Sequence, residues 1–252
     1  MLNEERRLKI QGIVTQKKRL LVKEISEEFD ISEVTVRKDL KALEKRGILS
    51  RVHGGAILNQ SSVHDIALTE KEHISPKEKQ LIGAKAAEMV NEGDVILLDS
   101  GSTTTQIARN IKFKKDIKVI TNAVNIASEL AGREIEVILT GGFLREKSFS
   151  LVGPIAEDAL QHINADKLFL GVDGIHFEFG LTTPNLMEAR VNQLMIKKSL
   201  EVILVSDSSK FGKRSMSFIA DVGSIQKVIT NKDIHDEDLM TLEELNIKVF
   251  LV

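Results

Sequence analysis

Apolar residues at the start of the chain recur at helical spacing in three separate groups. Leu8, Ile10, Ile13 and Val14 predict a helix over residues 3–18, and Val22 to Phe29 a shorter one with Ile25 and Phe29 four apart on one face. Asp30-Ile31-Ser32 breaks the pattern. Ser32, a favoured N-cap, then opens a third helix from Glu33 to Leu43 that ends near Gly47. Val36, Leu40 and Leu43 form its inward stripe, leaving Thr35, Arg37, Lys38 and Lys41 to face outward. From Ile48 to Ile57 the pattern predicts two short strands around Gly54-Gly55. Little periodicity follows until Ser75-Pro76, so residues 58–75 read as a linker.

Beyond that point short β-branched runs alternate with helical patterns. The runs are 95–99, 118–121, 136–140, 167–171, 201–206, 227–230 and 248–252. Helices are predicted at 77–92, 122–131, 153–163, 187–200 and 236–245, with another after residue 105. In the first of them Leu81, Ala84, Ala87 and Met89-Val90 fall at core spacing and read as packing. Strands alternating with helices predict a largely parallel sheet covered on both faces. The fold class is α/β: a winged helix-turn-helix head over 1–57 and a parallel-sheet domain over 76–252.

Function in such a sheet lies beyond the carboxyl ends of its strands. The first strand runs into Asp99-Ser100-Gly101-Ser102-Thr103-Thr104-Thr105 and a helix. Small residues, hydroxyls and a helix N-terminus can cradle a phosphate; the alternative is N-capping alone. Thr121-Asn122, Thr140-Gly141-Gly142, Gly171 to Gly174 and Ser206 to Lys210 end four further strands with small or polar residues. That repetition favours a phosphorylated, hydroxyl-rich ligand. Its candidate contacts are Asp99, Gly101, Ser102, Thr103, Thr104, Thr121, Asn122, Gly141, Gly142, Asp173, Glu188 and Lys210. Lys210 would meet a phosphate or sugar oxygen and Asp173 the sugar hydroxyls, against the alternatives of a solvated lysine and a turn cap. Glu188 and Asn192, four apart, share a helix face.

Charge changes the picture of the first fifty-seven residues. They carry 13 Lys+Arg against 9 Asp+Glu, a net of +4, leaving 22 against 28 for the rest of the chain. A short helix, a three-residue turn, a capped helix bearing cations and a Gly-Gly wing make a DNA-binding pattern; solvated cations on a packing module are the alternative. Candidate DNA contacts are Ser32, Thr35, Val36, Arg37, Lys38, Lys41, Arg51, His53 and Gly54. Composition excludes other classes. There is no Cys for a disulfide, thiolate zinc site or nucleophile, and aromatics are 4%, all Phe, too few for a base-stacking platform. His64, His73, His162 and His235 lack metal-ligand spacing, so no cofactor or metal is expected. With no long apolar run and no signal-peptide core at the start, the expected setting is the cytoplasm.

The quoted residues also resemble a known family. Ile31-Ser32-Glu33-Val34-Thr35-Val36-Arg37-Lys38-Asp39-Leu40 and Arg51 to Ala56 are similar to the head of DeoR-family sugar-operon repressors. The Asp99–Thr104 loop, Thr121-Asn122, Thr140-Gly141-Gly142, Leu170–Gly174, Glu188-Ala189 and Asp207 to Phe211 resemble that family's sensor domain. Gly180 to Asn185 and on to Asn192 looks like the branch sensing N-acetylgalactosamine-type amino sugars. The resemblance implies a homo-oligomer, dimer or tetramer, that binds operator DNA under control of a sugar phosphate. It also implies a sensor similar to ribose-5-phosphate isomerase, and so a rival reading as an isomerase-like enzyme. Against turnover, Gly174 and His176 replace two of the isomerase acids, and Gly180-Leu181-Thr182-Thr183 stands in place of its lysine loop. Isomerisation needs a base and oxyanion stabilisation, so binding without catalysis is expected.

Overall fold

The computed structural model describes residues 3–17, 19–45, 49–58 and 65–252. The chain divides into two compact units, Met1–Ser61 and Ser62–Val252. The expected helix end near Gly47, the strand residue Ile48, and His64 lie outside the described residues.

The smaller unit contains α1 (Asn3–Lys17), β1 (Arg19–Leu21), α2 (Val22–Phe29), α3 (Glu33–Lys45), β2 (Leu49–Val52) and β3 (Gly55–Leu58). Ile10, Val14, Ile25, Val36, Leu40 and Leu43 bury together with Leu20, Leu49 and Ala56. Leu8, read as part of the first helix's stripe, is instead 62% exposed. The expected pair of strands is joined by a third, β1, giving an antiparallel sheet in the order β1-β3-β2. Gly55 permits that pairing, because a Cβ there would lie 2.2 Å from the Leu20 carbonyl oxygen. Asp39 also sits on the inward side of α3, where its carboxylate meets Arg6 Nε at 2.6 Å and Arg7 Nε at 3.0 Å.

The larger unit opens with α4 (Leu68–Lys71), a turn of helix within the stretch read as linker, and α5 (Pro76–Glu88). Then come β4 (Val95–Leu98), α6 (Ser102–Ile111), β5 (Lys118–Thr121), α7 (Val124–Leu130) and β6 (Glu136–Leu139). A hairpin of β7 (Phe143–Arg145) and β8 (Ser150–Val152) precedes α8 (Pro154–Gln161) and β9 (Ala165–Leu170). The remainder is β10 (Gly174–His176), β11 (Gly180–Thr183), α9 (Leu186–Lys197), β12 (Ser199–Val205), β13 (Ser217–Ala220), β14 (Lys227–Thr230), α10 (Asp236–Glu244) and β15 (Lys248–Leu251).

All seven expected strands join one parallel sheet in the order β15-β14-β12-β9-β4-β5-β6. Alternate residues of a strand point to opposite faces. Leu97 accordingly enters a core with Ala156, Leu160, Val191 and Met195 of α8 and α9. Ile96 and Leu98 enter the opposite core, with Ile82 of α5, Ile107 of α6 and Ile126 of α7. Ala87 and Val90 of the expected α5 stripe face inward, but Leu81 is 54% exposed and Ala84 is exposed too, and Ile82, Gly83 and Ala86 take the inward positions instead. Gly83 sets the helix spacing, since a Cβ there would come within 2.5 Å of Gln106 Cβ on α6. The antiparallel pieces β7–β8 and β10-β11-β13 lie outside the expectation. They are too short to carry a clear alternation.

Candidate functional site

In the head, α2 and α3 are joined by a turn that both its ends stabilise. Asp30 takes the left-handed conformation at φ 50°, and Ser26 Oγ donates to the Ile31 carbonyl at 2.5 Å. Ser32 Oγ accepts from the Thr35 N–H at 3.3 Å, the N-cap expected of it. Ser32, Arg37, Lys38 and Lys41 are exposed and Thr35 is half-buried. Val36 is 0% exposed inside the head's core, so its side chain cannot touch DNA and it leaves the candidate set. Arg37 Nη2 pairs with Glu33 Oε2 at 2.6 Å one turn back, and Arg51 Nε with Glu44 Oε2 at 2.6 Å. Exposed pairs of this kind contribute about 0–1 kcal/mol, so either arginine can exchange its partner for a phosphate at small cost. His53 and Gly54 occupy the exposed turn between β2 and β3.

In the body, the sheet order reverses beside β4. β5 and β6 extend to one side, and β9, β12, β14 and β15 to the other. A crevice opens at such a switch point. Here it is a cleft of about 700 Å³, its open mouth included, at the ends of β4, β9 and β12. Asp99, Gly101, Ser102, Thr103, Asp173, Glu188 and Lys210 line it, as does Asn192. Five sequence-derived candidates lie outside that lining. Thr104 Oγ1 donates to the Gly101 carbonyl at 3.0 Å and Thr121 Oγ1 to the Leu98 carbonyl at 2.7 Å. Asn122 Nδ2 donates to the Leu151 carbonyl at 3.2 Å, fastening the β7–β8 hairpin. Gly141 and Gly142 form the turn into that hairpin, with Gly142 at φ 117° and no room for a Cβ beside the Val152 carbonyl. Thr104 turns back onto its own helix start, and for the other four the reason is strand order: β5 and β6 lie on the outer side of β4, away from the switch.

The cleft combines a helix N-terminus, lysines and carboxylates. Gly101 precedes α6, and the first N–H groups of a helix have no carbonyl partner within it. Asp207 Oδ1 accepts from the Ser209 N–H at 3.1 Å and so holds the turn that carries Lys210. Asp173 Oδ1 lies 2.6 Å from Lys71 Nζ and 3.7 Å from Lys210 Nζ. Burial alone would raise the Asp173 pKa, but these two cations outweigh it and hold the carboxyl below its usual range. Glu188 accepts from Ser150 Oγ at 2.9 Å and lies 2.8 Å from Arg145 Nη1. Asp99 accepts from the Gly171 N–H at 3.0 Å. Burial first, and then the neighbouring Glu188, push its pKa up to about 8. Lys79 is 4% exposed, and burial drives its pKa down to about 8 despite the nearby Asp207. Lysines and the α6 N-terminus suit a phosphate, while the carboxylates suit hydroxyl or amino groups.

Sequence reasoning missed Lys71, Lys79, Asp65 and Arg145. Lys79 carried a detectable signal, because it lies three and four residues before Ile82 and Gly83 on the inward face of α5. A lysine at a core position asks for a buried partner. Among the described residues, no cluster of His, Asp or Glu could hold a metal ion, and no helix is long and apolar enough to cross a membrane.

Comparison with known proteins agrees with this architecture. Residues 6–62 match the DeoR-like helix-turn-helix domain, and residues 74–232 the DeoR C-terminal sensor domain. The chain is 37% identical to the HTH-type transcriptional regulator GlpR of Haloferax volcanii, over 99% of this chain and 98% of that one. It is 37% identical to a putative aga operon transcriptional repressor of Escherichia coli O157:H7, over 98% and 93%. With the glycerol-3-phosphate regulon repressor of Escherichia coli K12 it shares 31% identity over 92% of each chain. Among solved structures, a ribose 5-phosphate isomerase from Plasmodium falciparum overlaps 54% of this chain and 52% of its own, at 19% identity and a TM-score of 0.39. Both family domains are matched in order, and the relatives span nearly the whole length: the chain belongs to the DeoR family of transcriptional regulators.

Proposed function

We propose that the protein is a repressor of a carbohydrate-utilisation operon, released from or held on its operator by a phosphorylated sugar bound in the switch-point cleft. Residues 1–57 act as the DNA-binding head, 58–75 as the connection and 76–252 as the sensor, in a cytoplasmic homo-oligomer with one head per half-site. The observation that carries the ligand class is the meeting of the α6 N-terminus with Lys71, Lys79 and Lys210 beside the Asp173 and Glu188 carboxylates. The aga operon and glycerol-3-phosphate regulon repressors among the relatives support repression and carbohydrate control. In the head, Arg37, Lys38, Thr35 and Ser32 read or position on bases, and Lys41, Arg51 and His53 hold phosphates. The geometry retains Asp173, Glu188 and Lys210, yet sugar phosphates bind without turnover. Ribose 5-phosphate incubated with the protein therefore stays unconverted.

The test is a thermal-shift screen of sugar phosphates, amino-sugar phosphates included, beside their unphosphorylated forms. A ligand at about 100 times its dissociation constant stabilises by roughly 2.7 kcal/mol. A shift restricted to one phosphorylated sugar names the effector, and Lys210→Ala should abolish it. No shift with any phosphate refutes the ligand class. Arg37→Ala should abolish specific operator binding and leave that shift intact; unchanged operator affinity refutes the placement of α3 in the groove.

A further inference from the structure

The hairpin beyond β6 leaves apolar side chains bare on a face that the cleft does not use. β8 is buried along its length, whereas β7, the outer strand, pairs only with β8 among the described residues. Phe143 and Leu144, on opposite faces of β7, are 63% and 52% exposed. Three segments of chain join into one surface around Phe143. Gly153 has no side chain to hold the ring away: a Cβ there would lie 2.9 Å from Phe143 Cδ2 and 3.8 Å from Met187 Cε, at the start of α9. At the entry to the hairpin, a Cβ on Gly141 would touch Ile155 Cγ2 of α8 at 3.4 Å. Ile155, Leu186 and Met187 are themselves exposed, as is Leu139 at the end of the edge strand β6. The runs 138–144, 151–156 and 183–187 hold no charged residue. None of these exposed apolar side chains lines the cleft.

We propose that this surface is the interface through which the body associates with a second copy of the chain, across a two-fold axis beside β7. The proposal rests on the homo-oligomer of the proposed function and names the face that builds it. Leu139, Phe143, Leu144, Ile155, Leu186 and Met187 together expose on the order of 500 Å² of apolar surface. A standard interface buries about 800 Å² per partner, and roughly two-thirds of that is apolar where two like subunits meet. The patch therefore has the size that a stable dimer needs. Interface cores are poor in charge and enriched in Phe and Met, as this one is. A two-fold contact sets one patch against itself. An uncharged apolar face meets that condition, since no different surface has to supply an ion partner. An unpaired strand edge meets it too, because the axis brings the same edge of the second copy alongside in the antiparallel sense. A two-stranded hairpin with bare apolar residues on both faces is marginal on its own in water, and the second copy covers both.

The experiment is sedimentation velocity on the full-length protein across a concentration series. Wild type is expected as an oligomer and Phe143→Asp as a species of lower mass. Its self-association should weaken roughly thirtyfold or more, the effect of losing one anchoring aromatic. Phe113→Asp alters another exposed phenylalanine, just beyond α6 and outside the patch, and should sediment as wild type does. A wild type that is monomeric at every concentration overturns this proposal and the homo-oligomer together. An oligomeric wild type with unchanged mass in Phe143→Asp overturns the interface alone, as does an equal loss of mass in Phe113→Asp. If Phe143→Asp fails to fold, Ile155→Glu decides by the same outcomes, since a glutamate suits the first turn of α8.

Discussion

Asp99→Asn tests how the floor of the cleft is held. Asp99 is 2% exposed, and its Oδ2 accepts from the Gly171 N–H at 3.0 Å. Burial, then the Glu188 carboxylate, raise its pKa from 3.8 to about 8 against the pull of the Gly171 and Ser100 N–H groups. The folded protein therefore keeps a proton that the unfolded chain releases. Stability from this group is fully present below about pH 4 and is lost as pH rises towards about 8. Each pH unit in that window is worth about 1.4 kcal/mol, so the full span corresponds to an upper bound of about 6 kcal/mol. Glu188 shares the same field, and at most about half of that, 2–3 kcal/mol, is the expected size. Asparagine retains an acceptor for the Gly171 N–H and has no proton to lose. Urea unfolding of the ligand-free body, followed from about pH 5 to about pH 8, should show the variant gaining 2–3 kcal/mol over wild type as pH rises. Parallel stability curves would mean that Asp99 is ionised in the fold, and would refute the reasoning.

Lys79 predicts the opposite slope at higher pH. Its pKa falls from 10.5 to about 8, so its contribution is present above the ordinary lysine range and lost as pH falls through about 8. Wild-type stability should rise from about pH 8 towards about pH 10, and Lys79→Met should flatten that rise in the same assay. Gly55→Ala places a Cβ 2.2 Å from the Leu20 carbonyl oxygen. Because only backbone could give way, a loss of about 3 kcal/mol in the head is expected. Operator binding should disappear in gel-shift assays while the phosphate-induced thermal shift of the body persists. Phe169, fully buried at the centre of the sheet, should cost about 3–5 kcal/mol of body stability as Phe169→Ala, measured by denaturant unfolding.

Much of the fold was legible because its elements are written locally. The seven β-branched runs, the Ser32 cap and the Val36-Leu40-Leu43 stripe each follow from periods of two or 3.6 in neighbouring residues. The first half of the α5 stripe was misplaced by one position because Leu81 and Ile82 are both apolar. Only the packing of Gly83 against Gln106 decides which of them turns inward. The strand β1 spans three residues and becomes visible only through its pairing with β3.

The candidate site divides along the same line. Sequence by itself determined that hydroxyl and glycine residues end the strands, that Asp99 leads into a helix N-terminus, and that a basic helix-turn-helix precedes the sheet. Tertiary structure decided which of those strand ends meet. β4, β9 and β12 flank the point where the order reverses, so Asp99, Asp173 and Lys210 converge, whereas Thr121, Asn122, Gly141 and Gly142 follow β5 and β6 and stay outside the cleft lining. It also brought Lys71 and Lys79 into the cleft lining, and Arg145 onto the cleft's Asp65 and Glu188, from segments far apart along the chain. The physical reason is that strand order and charge pairing depend on contacts between distant segments, and no local period of hydrophobic and polar residues encodes which strand becomes whose neighbour.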